Sequence, residues 1–137
     1  MNLTQLLAST LLFLAPQYPM PTHNPTLRNT FVIAAETVID DADATAIKAP
    51  DAQFDPQMQQ LKAAQANLKQ MVAEQGEQEV VDETSNLIYA VAACHIQAKT
   101  APDTSKCELT IAHARTSAME ALHKHKASGS WVDGDPS

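Results

Sequence analysis

The sequence predicts an all-α protein, a helical bundle of four to five helices with a C-terminal antiparallel helical hairpin. Three observations carry this. Hydrophobic residues make up 45% of the 137-residue chain and aromatics only 4%, and much of the apolar content is alanine, which suits close packing of helices. Val and Ile rarely alternate with polar residues, so no stretch shows the two-residue period of a strand. Prolines and a short polar connection divide the chain into segments whose apolar residues recur at steps of three and four. At this length one domain is expected. We assign residues 1–127 to a single helical domain, with residues 1–24 as an apolar helix and Pro-rich connector, and residues 128–137 to a flexible tail.

The first helix is expected over residues 3–15. Leu3, Leu6, Leu7, Leu11 and Leu14 fall at helical spacing, and Leu12 and Phe13 widen the stripe until nearly every face is apolar. Such a helix must be covered, which makes Leu7, Leu11 and Leu14 candidate partner contacts. The run is shorter than the roughly 20 residues a bilayer span needs. No Lys or Arg precedes it, and Leu14-Ala15-Pro16-Gln17 is a poor small-residue cleavage site, so a retained helix is favoured over a removed export signal. The sequence leaves the location open, with an intracellular or virion setting favoured over export. Pro16, Pro19 and Pro21 forbid continuation and make the next residues an extended connector.

Asn24-Pro25 is a start signal, because Asn caps free amides and Pro supplies the dihedral of the first helical position. The second helix, residues 25–45, carries Leu27, Phe31, Ala34 or Ala35, Val38 and Ala42 on one face. Ala49-Pro50-Asp51 reads as a loop, and Asp55-Pro56 repeats the start signal for a third helix over 55–75 with Phe54, Met58, Leu61, Leu68, Met71 and Val72 as its stripe. Gly76 suits a left-handed cap or a kink, although the stripe runs on in phase through Val80, Thr84, Leu87, Val91 and Cys94 in the fourth helix, 78–99. A closing helix over 103–126 has Cys107, Ile111, Ala114, Ala118, Ala121 and Leu122 in line. Ser105 and Glu108 have the spacing of a capping box, with Asp103 and Thr104 as rival caps.

Function classes can be narrowed by what the chain lacks. A formal charge of −7 with only nine basic residues argues against direct contact with nucleic acid. Three glycines, Gly76, Gly129 and Gly134, cannot build a phosphate-cradling loop. No GxSxG, CxxC, CxxCH or HExxH motif occurs, so neither catalytic residues nor a cofactor is expected, and the protein is read as no enzyme. Cys94 and Cys107 fall on facing sides of the predicted hairpin, either as a disulfide or as two buried thiols. A metal site built from Cys94-His95, Cys107 and His113 is disfavoured, because neighbouring residues on a helix diverge by about 100°. His123 and His125 are assigned to a solvated basic end. Trp131 stands in a polar tail beyond any core periodicity and is a candidate partner contact, since Trp is enriched among residues that dominate interfaces.

The Pro-Asp loop, the following Ser105-Lys106 and the alanine-rich helix after it resemble, over residues 86–126, the hairpin of small phage proteins that sequester cyclic-nucleotide signals. The resemblance implies a second function class, an oligomer that binds a small anionic molecule, with Lys99, Lys106 and Arg115 as candidate contacts. The leading expectation is a helical interaction or assembly protein, of viral or phage type, acting through a protein partner or self-association as a homo-oligomer. A third class is an exported helical-bundle metal or haem protein.

Overall fold

The computed structural model describes residues 25–128. The expected helix over 3–15, its candidate contacts Leu7, Leu11 and Leu14, the connector, Trp131 and the tail from residue 129 lie outside the described residues. Within them the chain is all-helical: α1 is Pro25–Ala44, α2 Asp51–Gln70, α3 Gln75–Ala98 and α4 Ser105–Ala127. No described helix is long and apolar enough to cross a membrane.

The helices share one core, and ion pairs along it fix their directions. Glu36 in the middle of α1 meets Lys126 at the end of α4 at 3.7 Å, and Asp43 near the end of α1 meets Arg115 at 2.8 Å. α4 also runs back along α3, from the Cys94–Cys107 disulfide to Glu79 and Lys124 at 3.5 Å. One end of the bundle therefore holds two loops, residues 45–50 and 99–104, and the other the turn at residues 71–74.

Phe31, Ala35, Val38 and Ala42 of α1 are buried at the expected spacing, and Val32, Ala34 and Ile39 widen the face. Phe31, Leu61, Leu68 and Leu87 are wholly enclosed, each worth about 1.5–3 kcal/mol relative to exposure. α1 ends where the Thr45 hydroxyl donates to the Asp41 carbonyl and the Ala46 amide donates to Gln57 Oε1 at 2.8 Å, which ties the loop to α2.

α2 starts earlier than the spacing predicts, at Asp51 rather than residue 55. Pro50 takes the extended conformation of a cap and accepts the amides of Gln53 and Phe54 on its carbonyl, so Pro56 lies inside the helix. The gain is in tertiary contacts: Asp51 and Phe54 both engage His95 of α3. The stripe skips from Leu61 to Leu68, and Gln65 fills the gap as a buried polar residue. Its amide donates to Ser85 Oγ at 2.7 Å and to the Val81 carbonyl at 3.1 Å, and its carbonyl oxygen lies 3.0 Å from the Thr84 hydroxyl. The core thus contains a satisfied polar network linking α2 to α3.

The break between α2 and α3 falls at residues 71–74, before Gly76 rather than at it, and the expected bounds 55–75 and 78–99 shift accordingly. The Met71 and Val72 amides donate to Leu68 and Lys69 carbonyls to close α2. Glu77, in the first turn of α3, accepts the Ala73 amide at 2.7 Å and so sets the entry of the new helix. Gly76 sits in that first turn. On α4, Thr104 is the capping position and Ser105 the first helical residue, so the expected start at 103 moves. The Thr104 hydroxyl donates to the Glu108 carboxylate, and Asp103 accepts both the amide and the hydroxyl of Ser105.

Candidate functional site

Each end of the bundle buries one histidine against carboxylates, and the two settings differ. At the two-loop end, His95 of α3 has 6% of its side chain exposed. Its Nδ1 faces the Ile47 carbonyl and its Nε2 faces Asp51 Oδ1, both at 2.8 Å. The imidazole thus bridges the 45–50 loop and the first residue of α2. Lys99 brings its ammonium to the same carboxylate at 2.8 Å. The hydrogen bond from Lys99, then that from His95, holds the Asp51 carboxyl below its usual range. His95 and Lys99 both turn to acceptors of the chain itself, which makes the arrangement a clamp between the loop, α2 and α3.

At the opposite end, His125 of α4 lies with Glu74 and Glu77 of the 71–77 segment. His125 and Glu77 have side-chain exposures of 2% and 4%, and His125 Nε2 is 3.6 Å from Glu77 Oε2. One nitrogen or oxygen from each of Glu74, Glu77 and His125 lies within 4.8 Å of the others. Phe31 of α1 presents its ring to the imidazole edge-on, centroids 5.4 Å apart. Gly76 lies alongside, where a Cβ would meet His125 Nδ1 at 3.4 Å. This is the only group of three metal-ligating side chains found among the described residues.

The assignment of His125 to a solvated end is corrected by its burial; His123 is exposed. The signal was present in the spacing. Ala118, Ala121, Leu122 and His125 continue one helical line at steps of three, one and three, so the imidazole takes the next core position.

A third feature is a face, not a cluster. Beside its core stripe α3 carries Ile88 and Ala92, half-buried against the core, and Tyr89 and Ile96, which are 78% and 65% exposed. Together with Lys62, Gln65, Ala66 and Lys69 of α2, Ile88, Tyr89 and Ala92 line an open groove of about 460 Å³ whose floor is apolar.

The other residues singled out in the sequence are distributed as follows. Cys94 and Cys107 are joined in a disulfide across the α3–α4 connection, with Cα atoms 5.3 Å apart. Lys99 is engaged by Asp51, and Arg115 Nε donates to both oxygens of Asp43 at 2.8 and 2.9 Å. Lys106 is exposed in the first turn of α4. The structure therefore commits two of the three cations to two different aspartates rather than gathering them around a shared space. No known family, no curated protein and no solved structure matches the chain.

Proposed function

We propose that the protein acts by binding, without catalysis, and that its α2–α3 face docks against a second copy of the same chain. The observation that supports this is the exposure of Tyr89 and Ile96 on the outside of α3, beside Ile88 and Ala92, which are half-buried against the core. Large apolar side chains left in water beside the core edge are surface that the bundle itself does not cover. Tyr89 has the character of an interface anchor, a rigid ring with a polar tip.

Charge supports a symmetric pairing. The groove carries Lys62 and Lys69, whereas Asp82, two turns before Tyr89 on the same side of α3, is exposed. An antiparallel crossing of two α3 helices near Tyr89 would bring the lysines of each copy toward Asp82 of the other, and so locally offset a net charge of −7. The closing helical hairpin, α3 with α4 across its disulfide, is the rigid unit that presents this face.

The disulfide also bears on location. Such bonds persist in oxidising compartments and on virion or cell surfaces, which supports an exported or surface setting over the intracellular one expected from the N-terminal run. The anionic-ligand reading, resting on Lys99, Lys106 and Arg115, receives less support because Lys99 and Arg115 are already paired within the chain.

Thermal unfolding at several protein concentrations tests the docking. A melting temperature that rises with concentration, and that loses this dependence in Ile96→Glu, is the expected result. A melting temperature independent of concentration would remove the proposal.

A further inference from the structure

We infer that Glu74, Glu77 and His125 form a binding site for one divalent transition-metal ion of the zinc class. The site is independent of the α2–α3 face.

Its geometry is that of a mixed nitrogen and oxygen donor set. Zinc binds imidazole nitrogen and carboxylate oxygen at about 2.0–2.2 Å, which puts two ligands of one tetrahedral ion roughly 3.3 Å apart. The 3.6 Å between His125 Nε2 and Glu77 Oε2 is too long for a hydrogen bond and close to that ligand-to-ligand spacing. Glu74 brings a third donor within 4.8 Å of the other two. The three protein ligands leave a fourth position for water.

The surroundings orient these donors as a metal site requires. Glu77 is held through its other oxygen, Oε1, by the Ala73 amide at 2.7 Å, which fixes the carboxylate with Oε2 toward the imidazole. The edge of Phe31 sets the plane of the His125 ring. Between the two glutamates in sequence stands Gly76, where a Cβ would come into ordinary contact with the imidazole at 3.4 Å. The positive end of α3 opposes a cation here, and two carboxylates on the same turn offset it: with a dication the site is neutral.

An imidazole donor selects against the hard cations. Ca²⁺ and Mg²⁺ take oxygen ligands in sixfold or higher coordination, whereas imidazole with carboxylate suits Zn²⁺ and its neighbours. Exposed His113 and His123 are the competing sites for a loosely bound ion.

Titration calorimetry of the chelator-treated full chain with Zn²⁺, with Mg²⁺ and Ca²⁺ as comparisons, tests the site. The expected result is one equivalent of Zn²⁺ bound, no comparable Mg²⁺ or Ca²⁺ binding, and a rise in melting temperature on adding Zn²⁺. Glu74 is half-exposed, so Glu74→Gln should keep the fold by circular dichroism. It should also weaken Zn²⁺ binding by at least the roughly 10- to 100-fold that losing a supporting partner costs a metal site. His125→Phe, which preserves an aromatic ring beside Phe31, should abolish the stoichiometric event. The inference is overturned if the folded chain binds no Zn²⁺. It is equally overturned if binding survives in both variants and disappears instead in His113→Ala or His123→Ala.

Discussion

The imidazole of His95 lies flat on the ring of Phe54, with 3.6 Å between centroids and 3° between planes. That stack joins the end of α3 to the first turn of α2. The same imidazole holds the 45–50 loop through the Ile47 carbonyl, so one side chain fastens three parts of the bundle. Replacing it removes the stack and two hydrogen bonds from a buried position. His95→Ala should cost about 2–3 kcal/mol, from hydrogen bonds to buried partners and lost aromatic packing. Urea unfolding of the two proteins measures this, and a loss under 0.5 kcal/mol, the usual scatter of surface substitutions, would show that the clamp is idle.

Acid should loosen the same end. Asp51 is held below its usual range by Lys99 and His95, Asp103 by the Ser105 hydroxyl and amide, and Glu108 by the Thr104 hydroxyl. A carboxyl that titrates lower in the folded chain than the reference of about 3.9–4.3 leaves the unfolded chain with more bound protons between the two values. Its stabilising contribution is therefore complete above about pH 5 and is lost as pH falls through the reference value toward the folded one. Urea midpoints measured from pH 6 down to pH 2 should fall most steeply below pH 4, and Asp51→Asn should flatten part of that slope. Midpoints that hold or rise on acidification would contradict the sign.

Much of this architecture was legible from periodicity. The buried stripe of α3, Val80, Thr84, Leu87, Val91 and Cys94, follows from steps of three and four alone. The starts of α2 and α4 were less legible, because Pro50 and Thr104 compete with equally good local caps and the choice is made by distant partners, His95 for Asp51 and Lys48 for Glu108. Buried polar residues were the hardest to read. Gln65 and His125 occupy core positions in their stripes, yet side-chain chemistry argues for solvent, and only the partners on α3 reveal why they are enclosed. The grouping of Glu74 and Glu77 with His125 depends on residues about fifty positions apart in sequence and could not be read from local spacing.

The polar network in the core should behave as a unit. Gln65→Leu leaves Thr84 and Ser85 facing an apolar group, and Thr84→Val leaves the Gln65 carbonyl oxygen without its hydroxyl contact. Thr84→Val should cost about 1–3 kcal/mol as the buried Gln65 oxygen loses its partner, and Gln65→Leu less, because the Thr84 hydroxyl still reaches the Val80 carbonyl at 2.9 Å. The double variant should lose clearly less than the sum, because both partners of one bond are then apolar. A double-mutant cycle on urea unfolding checks this; strict additivity would mean that the groups do not interact.

The disulfide between Cys94 and Cys107 closes a short loop, with a sequence separation of 13. Loop-closure entropy for such a ring sets a contribution of about 3 kcal/mol, before allowance for the turn bonds that already shape residues 96–101. Cys94→Ser with Cys107→Ser should therefore lower stability by about 2–3 kcal/mol and leave helix content unchanged. Denaturant unfolding followed by far-ultraviolet circular dichroism reads both quantities. Loss of helix at neutral pH without denaturant would show that the bond makes the fold instead of reinforcing it.

The central claim is that the outer face of α3, with Tyr89 at its middle, is closed by a second copy of the chain. Sedimentation equilibrium tests it most directly, because a single chain has a mass of 14.8 kDa. The account predicts a reversible approach to about twice that mass with rising concentration, as expected for a two-fold pair, and a single-chain mass throughout for Tyr89→Glu with helicity preserved. A wild-type protein that stays at the single-chain mass at every concentration, or a Tyr89→Glu variant that associates as wild type does, would contradict it.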